Sequence, residues 1–416
     1  MMNMKDMPKR FYIICGNHTY NRGDRANLIS QIDLINRYFP GVQITADSLD
    51  PEQDAPWYPV KIISKKGIFF PLIQLRTALR NDVIIWGGGA LIADNSCRLI
   101  VPYWFFLLFI IKYIFRKKIF GWAHGVVLET HTGKFFASLI LNLPDVITVR
   151  DGGSLKSLRS LNCRKQIEVT ADPAFTLEMS DRATGESILK SIGLTDSGRK
   201  IAGLSFTFWP FYHDSRDWFP IALQSGREAV RPDKKSGLEA YVESIVSTVN
   251  FLTGKLNMEV LLIPRYVKAP WKDIEILRGI RGRLVKSDSA FILSEDHPPK
   301  DLFSVWKCFD LHVGSALHDS IVALRCHVPS VHIAYEQKGI DLFESYGMQD
   351  FLIDFRLFLN ADGVEDCCLK AERALEQSSE IRAKERTAGT AMSEKAERNA
   401  VLLQQYLKRE TCETNI

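Results

Sequence analysis

Short apolar runs, each closed by glycine or a polar turn and each followed by a helix-patterned stretch, recur along most of the chain. Phe11-Tyr12-Ile13-Ile14-Cys15, Val83-Ile84-Ile85-Trp86, Val146-Ile147-Thr148-Val149 and Glu259-Val260-Leu261-Leu262-Ile263 are examples. Such runs lack the alternation of a half-exposed strand, so they predict strands covered on both faces. Between them, spacings such as Leu28, Ile32, Ile35 and Phe39 give one apolar helical face. Strand and helix in regular alternation predict a parallel, doubly wound sheet. The series starts again after Ser180, with runs at 200–206, 259–264, 290–293, 311–314 and 330–334.

With 416 residues the chain is too long for one ordinary core. The expected division is an α/β domain over 1–180, a second over 181–360, and a charged helical segment over 361–416. Two such domains would face each other across a cleft. A net charge of +4 is compatible with an anionic substrate or a membrane surface, and no basic run with interleaved aromatics suggests a nucleic-acid groove. Eight scattered cysteines, with no C-x-x-C pair, suggest neither a zinc site nor a disulfide framework and point to a reducing cytosol. The polar segment Met1–Arg10 does not read as a signal peptide. Leu99 to Phe115 is almost wholly apolar and is followed by Arg116-Lys117-Lys118. It reads as a helix of the first domain, with its aromatic end a candidate for peripheral contact with the inner face of a membrane.

In open α/β sheets ligands bind beyond the C-terminal ends of the strands. That rule selects the turns. Gly16–Asp24 offers Asn21, Arg22 and Asp24, with backbone N–H groups suited to an anion. Gly88 and Gly89 lie in a triple-glycine turn that is neither a dinucleotide fingerprint nor a P-loop. His124 follows the next strand. Arg150 can clamp a phosphate or carboxylate, or can pair with an acid to support the domain. His318 falls at the start of a helix, where N–H groups are free; a proton-transfer group and a capping or core histidine are both open readings. Lys338 follows the last run and can face the cleft or solvent.

Together these stretches resemble the polysaccharide pyruvyl transferase family. The matching pieces are Gly16-Asn17-His18-Thr19 with Asn21-Arg22-Gly23-Asp24, and Gly87-Gly88-Gly89-Ala90-Leu91 with Asp94. Thr148-Val149-Arg150-Asp151 with Ser154, Ala171-Asp172-Pro173-Ala174-Phe175, and Leu317-His318 through Tyr335 and Lys338 complete the set. The opening turn is most similar to the colanic-acid branch. The resemblance implies two Rossmann-like domains in a GT-B-like arrangement. It also implies transfer of pyruvate from phosphoenolpyruvate onto a sugar or lipid-linked oligosaccharide of a surface polysaccharide, with no cofactor and no obligatory metal. His318 and His124 are the expected proton-transfer groups; Asn21, Arg22, Asp24, Gly88, Gly89, Arg150 and Lys338 are the expected binding groups.

Ala316 departs from the family pattern, which has an arginine two residues before the histidine. Lys338, Arg325 and Arg265 are the cations that could replace it. Two other readings stand beside transfer of pyruvate: a GT-B-like glycosyltransferase using a nucleotide sugar, and a non-catalytic member acting in polysaccharide assembly.

Overall fold

The first sheet is wholly parallel. Its strands are β1 (Arg10–Ile14), β2 (Gln43–Ser48), β3 (Lys61–Ser64), β4 (Val83–Gly87), β6 (Lys118–His124), β8 (Val146–Val149) and β9 (Glu168–Val169), in the order β3-β2-β1-β4-β6-β8-β9. A small parallel pair, β5 (Ile92–Ala93) and β7 (Val126–Val127), lies beside it. The computed structural model describes residues 8–413 apart from 68, 162–164, 195–197, 221–229 and 269, so the start of the polar Met1–Arg10 segment lies outside the described residues.

The second sheet repeats the plan with β10 (Ile201–Ser205), β11 (Glu259–Leu262), β12 (Ala290–Ile292), β13 (Leu311–Gly314), β14 (Ser330–Ala334) and β15 (Leu352–Asp354), in the order β12-β11-β10-β13-β14-β15. All its pairings are parallel as well. In each sheet the chain starts in the middle, winds one way, then turns back and winds the other. The reversal opens a crevice at the C-terminal ends of β1 and β4 in one sheet and of β10 and β13 in the other. The edge strands β3 and β15 escape the sequence reading: Lys61-Ile62-Ile63-Ser64 and Leu352-Ile353-Asp354 are too short and too polar to stand out.

The helix Arg22–Tyr38 follows β1. Asn21 caps it, with Oδ1 accepting from Gly23 N at 3.0 Å. Nearly every residue from Arg22 to Ile35 is buried, because the helix is sandwiched between its own sheet and the second domain. Two arginines of its first turn bolt the domains together. Arg22 donates to the carbonyls of Leu293 (3.0 Å) and Glu295 (2.6 Å), and Arg25 pairs with Asp296 at 2.8 Å.

The apolar run at 99–115 is an α-helix over Ile100–Phe109 that widens into a π-helix over Ile110–Ile114. The strands on either side of it, β4 and β6, are neighbours in one sheet. No helix among the described residues is long and apolar enough to cross a membrane. The C-terminal segment is two helices, Ala361–Glu376 and Ser378–Glu413, interrupted at Gln377. The second, 36 residues and about 54 Å long, returns to the first domain. There Asn399 Oδ1 accepts from Thr148 Oγ1 (2.6 Å) and Thr170 Oγ1 (3.1 Å), and Arg398 pairs with Glu168 at 2.7 Å.

Candidate active site

The crevices of the two sheets meet where the helix Arg22–Tyr38 of the first domain touches the helix Leu317–Arg325 of the second. His318 is in the first turn of the latter. Its ring packs directly on Gly23: a Cβ there would lie 2.3 Å from Nδ1. Nε2 faces Asn27 at 3.0 Å and Asp172 Oδ2 at 3.5 Å, both from the first domain. The Asn27 amino group points at the ring, and its buried Oδ1 has no partner among the described residues. Nε2 can accept from the Asn27 amino group or, when it carries a proton, donate toward Asp172. His318 is 7% exposed, and its neighbours are polar rather than aliphatic.

Asp172 ties this histidine to Arg150. Arg150 follows β8, and its NH1 donates to Asp172 Oδ2 at 2.5 Å. Asp151 is a weaker partner at 3.8 Å, and the buried Nε of Arg150 makes no hydrogen bond among the described residues. Burial alone would raise the Asp172 carboxyl, but His318 and Arg150 together hold it well below the usual carboxylate range. Gly125 is needed beneath the guanidinium, where a Cβ would fall 2.7 Å from NH2. Of the two readings open for Arg150, an ion pair is present, though with Asp172 as the main partner.

Arg265, from the loop after β11, supplies a second cation. Its Nε reaches Asn21 Oδ1 at 3.3 Å and its NH1 reaches Thr207 Oγ1 at 3.2 Å. Thr207 N in turn donates to Ser315 Oγ at 2.9 Å, so the guanidinium is linked to the turn that carries Ala316 and His318. It lies over the rings of Trp209 and Tyr266, at 5.9 and 5.6 Å from their centroids. Asp24, with Oδ2 accepting from Asn17 N (2.9 Å) and Asn21 Nδ2 (3.1 Å), sends its charge to both Arg150 and Arg265. Asp319, next to His318, is buried, and burial raises its carboxyl to about 6 against the pull of Arg265 and His318.

From the residues selected by sequence, the structure brings together Asn21, Asp24, Arg150 and His318; the others have the following surroundings. His124 is fully buried with its ring 4.1 Å from that of Trp86, and burial pushes its pKa down to about 3. A neutral ring with no exposed edge is poorly placed for proton transfer. Arg22 is spent on second-domain carbonyls and Asp296, and burial lowers it to about 10. Lys338 forms an ion pair with Glu336. Gly88 has φ +79 and packs against Gln31, whose side chain a Cβ would meet at 2.3 Å; Gly89 faces Asp24. These two glycines have a local reason in close approach. Of the three cations that could replace an arginine at 316, Arg265 is in the crevice. Arg325 instead bonds the carbonyls of Phe175 and Leu177 at 2.5 and 3.0 Å.

Asn27, Asp172 and Asp319 were not selected as site residues by sequence. The Ala-Asp-Pro turn at 171–173 was the available signal for Asp172. Asn27 sits inside an amphipathic helix, where an asparagine carries no mark of function.

Two parallel sheets with opposed switch points, joined by a cleft and tied by a returning C-terminal helix, define a GT-B-like α/β protein. Solved structures of this shape include the Anabaena protein Alr3699/HepE in complex with UDP and glucose, with TM-score 0.59, 11% identity, and 96% of this chain and 99% of that chain covered. Staphylococcus aureus MnaA with UDP is similar at TM-score 0.61 and 12% identity, covering 97% of each chain. Neisseria meningitidis UDP-GlcNAc 2-epimerase bound to UDP-GlcNAc gives TM-score 0.59 at 7% identity, covering 96% of this chain and 100% of that one. At these identities the likeness is one of fold. No curated protein matches the chain in sequence. The family model for polysaccharide pyruvyl transferase matches residues 21–337, and the chain belongs to that family.

Proposed function

We propose that the chain transfers pyruvate from phosphoenolpyruvate onto two hydroxyls of a sugar in a surface-polysaccharide intermediate of the colanic-acid type, on the cytoplasmic side of the membrane. The observation that carries this reading is His318. It stands at a helix start that no side chain caps, within reach of Asp172, and is flanked through that carboxylate by Arg150 and through Thr207 and Ser315 by Arg265.

The donor has a phosphate and a carboxylate to hold. Arg150, Arg265 and the first N–H groups of the helix Leu317–Arg325 are the groups suited to them. Arg265 supplies the positive charge that Ala316 does not. His318 delivers a proton to the methylene carbon of the enol, making it a methyl group, while a sugar hydroxyl oxygen bonds to C2. A second hydroxyl then displaces phosphate from C2 and closes the ketal. One hydroxyl proton returns to His318 and the other leaves with the phosphate. Asp172 keeps the imidazole oriented and favours its charged form between the two transfers.

Phosphate release that depends on phosphoenolpyruvate, measured with lipid-linked sugar acceptors, is the expected result. Turnover of a nucleotide sugar without any response to phosphoenolpyruvate would assign a glycosyltransferase instead. Glycan binding with neither activity would assign a non-catalytic part in polysaccharide assembly.

A further inference from the structure

Three helices cover the first sheet on one side: Phe70–Arg80, the helix Ile100–Phe109 with its π-helical extension to Ile114, and His131–Ile140. The apolar core beneath them contains only residues of the first domain. The middle helix is joined to the others by ring contacts, Tyr103 to Phe70 at 6.1 Å and Phe105 to Phe136 at 5.5 Å. Of the fourteen large apolar side chains exposed among the described residues, eight belong to these helices or to Phe69 at their edge. They include Leu79, Phe106, Phe109, Tyr113, Ile114 and Phe135, all at least 40% exposed. A soluble surface scatters such residues singly; concentrated on one face, they mark a contact.

The charge on this face has one sign. Residues 69–80, 100–118 and 131–140 contain seven lysines and arginines and no aspartate or glutamate. Arg76, Arg80, Arg116 and Lys134 are exposed. Of the acids that border the three stretches, Asp82 and Asp145 are paired with Arg10 and Lys112, and Glu129 is exposed. The π-helical turn presents Tyr113 and Ile114 together at the end of the middle helix, and Arg116 follows in the left-handed region at φ 53. An apolar, aromatic ridge rimmed by arginine fits the boundary between acyl chains and anionic headgroups.

We propose that this face docks the protein on an anionic lipid bilayer, with the three helices lying in the interface and the aromatic ridge inserted. A second copy of the chain fits less well, because a two-fold contact would set this basic face, with no acid in its three helical stretches, against itself. The proposal does not depend on the identity of the donor, so it can fail while the proposed chemistry stands, and the reverse.

The full chain should co-sediment with vesicles of phosphatidylcholine mixed with phosphatidylglycerol, and far less with phosphatidylcholine alone or at high salt. Phe106→Ser with Tyr113→Ser should weaken the binding at least about tenfold. Arg76→Glu with Arg116→Glu should do the same through charge while leaving the ridge intact. Val285→Ser, at an exposed apolar residue of the second domain, should leave binding unchanged. Absence of vesicle binding by the parent chain would overturn the proposal, as would binding that survives both double variants. So would self-association that the Phe106/Tyr113 variant abolishes in a chain that binds no vesicle.

Discussion

A Cβ on Gly23 would stand 2.3 Å from Nδ1 and 2.9 Å from Cβ of His318, so the helices that follow β1 and β13 meet where only a glycine fits. The crowded atoms include the root of the histidine side chain, and a rotation of the ring cannot clear them. Gly23→Ala must therefore push the two domains apart or move His318 away from Asp172. Overpacking of this kind costs about 1–3 kcal/mol, and turnover should fall further than stability alone explains. Activity and melting temperature measured together decide it; unchanged turnover would mean that the position of His318 matters less than its contacts imply.

His318→Gln keeps a polar side chain at the contact with Asn27 and Asp172 and removes the titrating ring. Loss of a general acid–base group lowers rate about 10²–10⁴-fold. The variant should show that fall in kcat with a folded protein, and one limb of the pH–rate profile should flatten. Full activity would remove the histidine from the chemistry.

Arg150 is not a free clamp, and its substitution tests two things at once. Arg150→Ala leaves Asp172 buried with His318 as its nearest remaining side-chain partner, and breaking a buried pair costs about 3–5 kcal/mol. Asp172→Ala should also destabilise. The double variant should be more stable than the sum of the two predicts, because no charge is then stranded. Chemical denaturation of the four proteins measures this coupling. Additive effects would show that the pair at 2.5 Å contributes nothing.

Much of the fold was legible because a buried parallel strand needs an apolar run and its exit needs a turn. The runs at 11–15, 83–86 and 311–314 are therefore visible without any structure. Which turn side chains face the cleft was not legible. Arg22 and Arg150 both follow strand-end signals, yet Arg22 finds carbonyls of the second domain and Arg150 finds Asp172. His124 and His318 look alike in sequence, each beside small residues after a strand. The first lies behind Trp86 and the second between two domains, and only tertiary packing separates them. Arg265 entered through the missing arginine at 316, and its contacts with Asn21 and Thr207 depend on how the domains dock.

Asp296 holds that docking. It accepts from Arg25 NH1 at 2.8 Å, and the Arg22 guanidinium also reaches it, at 3.3 Å. Asp296→Asn removes the carboxylate that both buried arginines reach. A loss of about 3–5 kcal/mol is expected, seen in denaturant unfolding as a lower midpoint. An unchanged midpoint would mean that the carbonyls of Leu293 and Glu295 suffice.

Asp319 gives the site a pH signature. Burial raises its carboxyl to about 6, with Arg265 and His318 opposing, whereas an unfolded aspartate titrates near 3.9. The folded state therefore binds this proton more tightly than the unfolded state. The stability lent by the protonated form is complete below about pH 4 and is lost as pH rises through about 6. By about pH 8 the ionised carboxylate costs on the order of 2–3 kcal/mol relative to pH 4. Asp319→Asn keeps the neutral form at every pH. Its stability relative to the parent chain should therefore grow by that amount between pH 4 and pH 8, with most of the change falling between the two pKa values, about pH 4 to 6. Denaturant unfolding of both proteins across this range provides the comparison. A difference that stays flat would show that Arg265 and His318 offset burial, and one that shrinks as pH rises would show that they outweigh it.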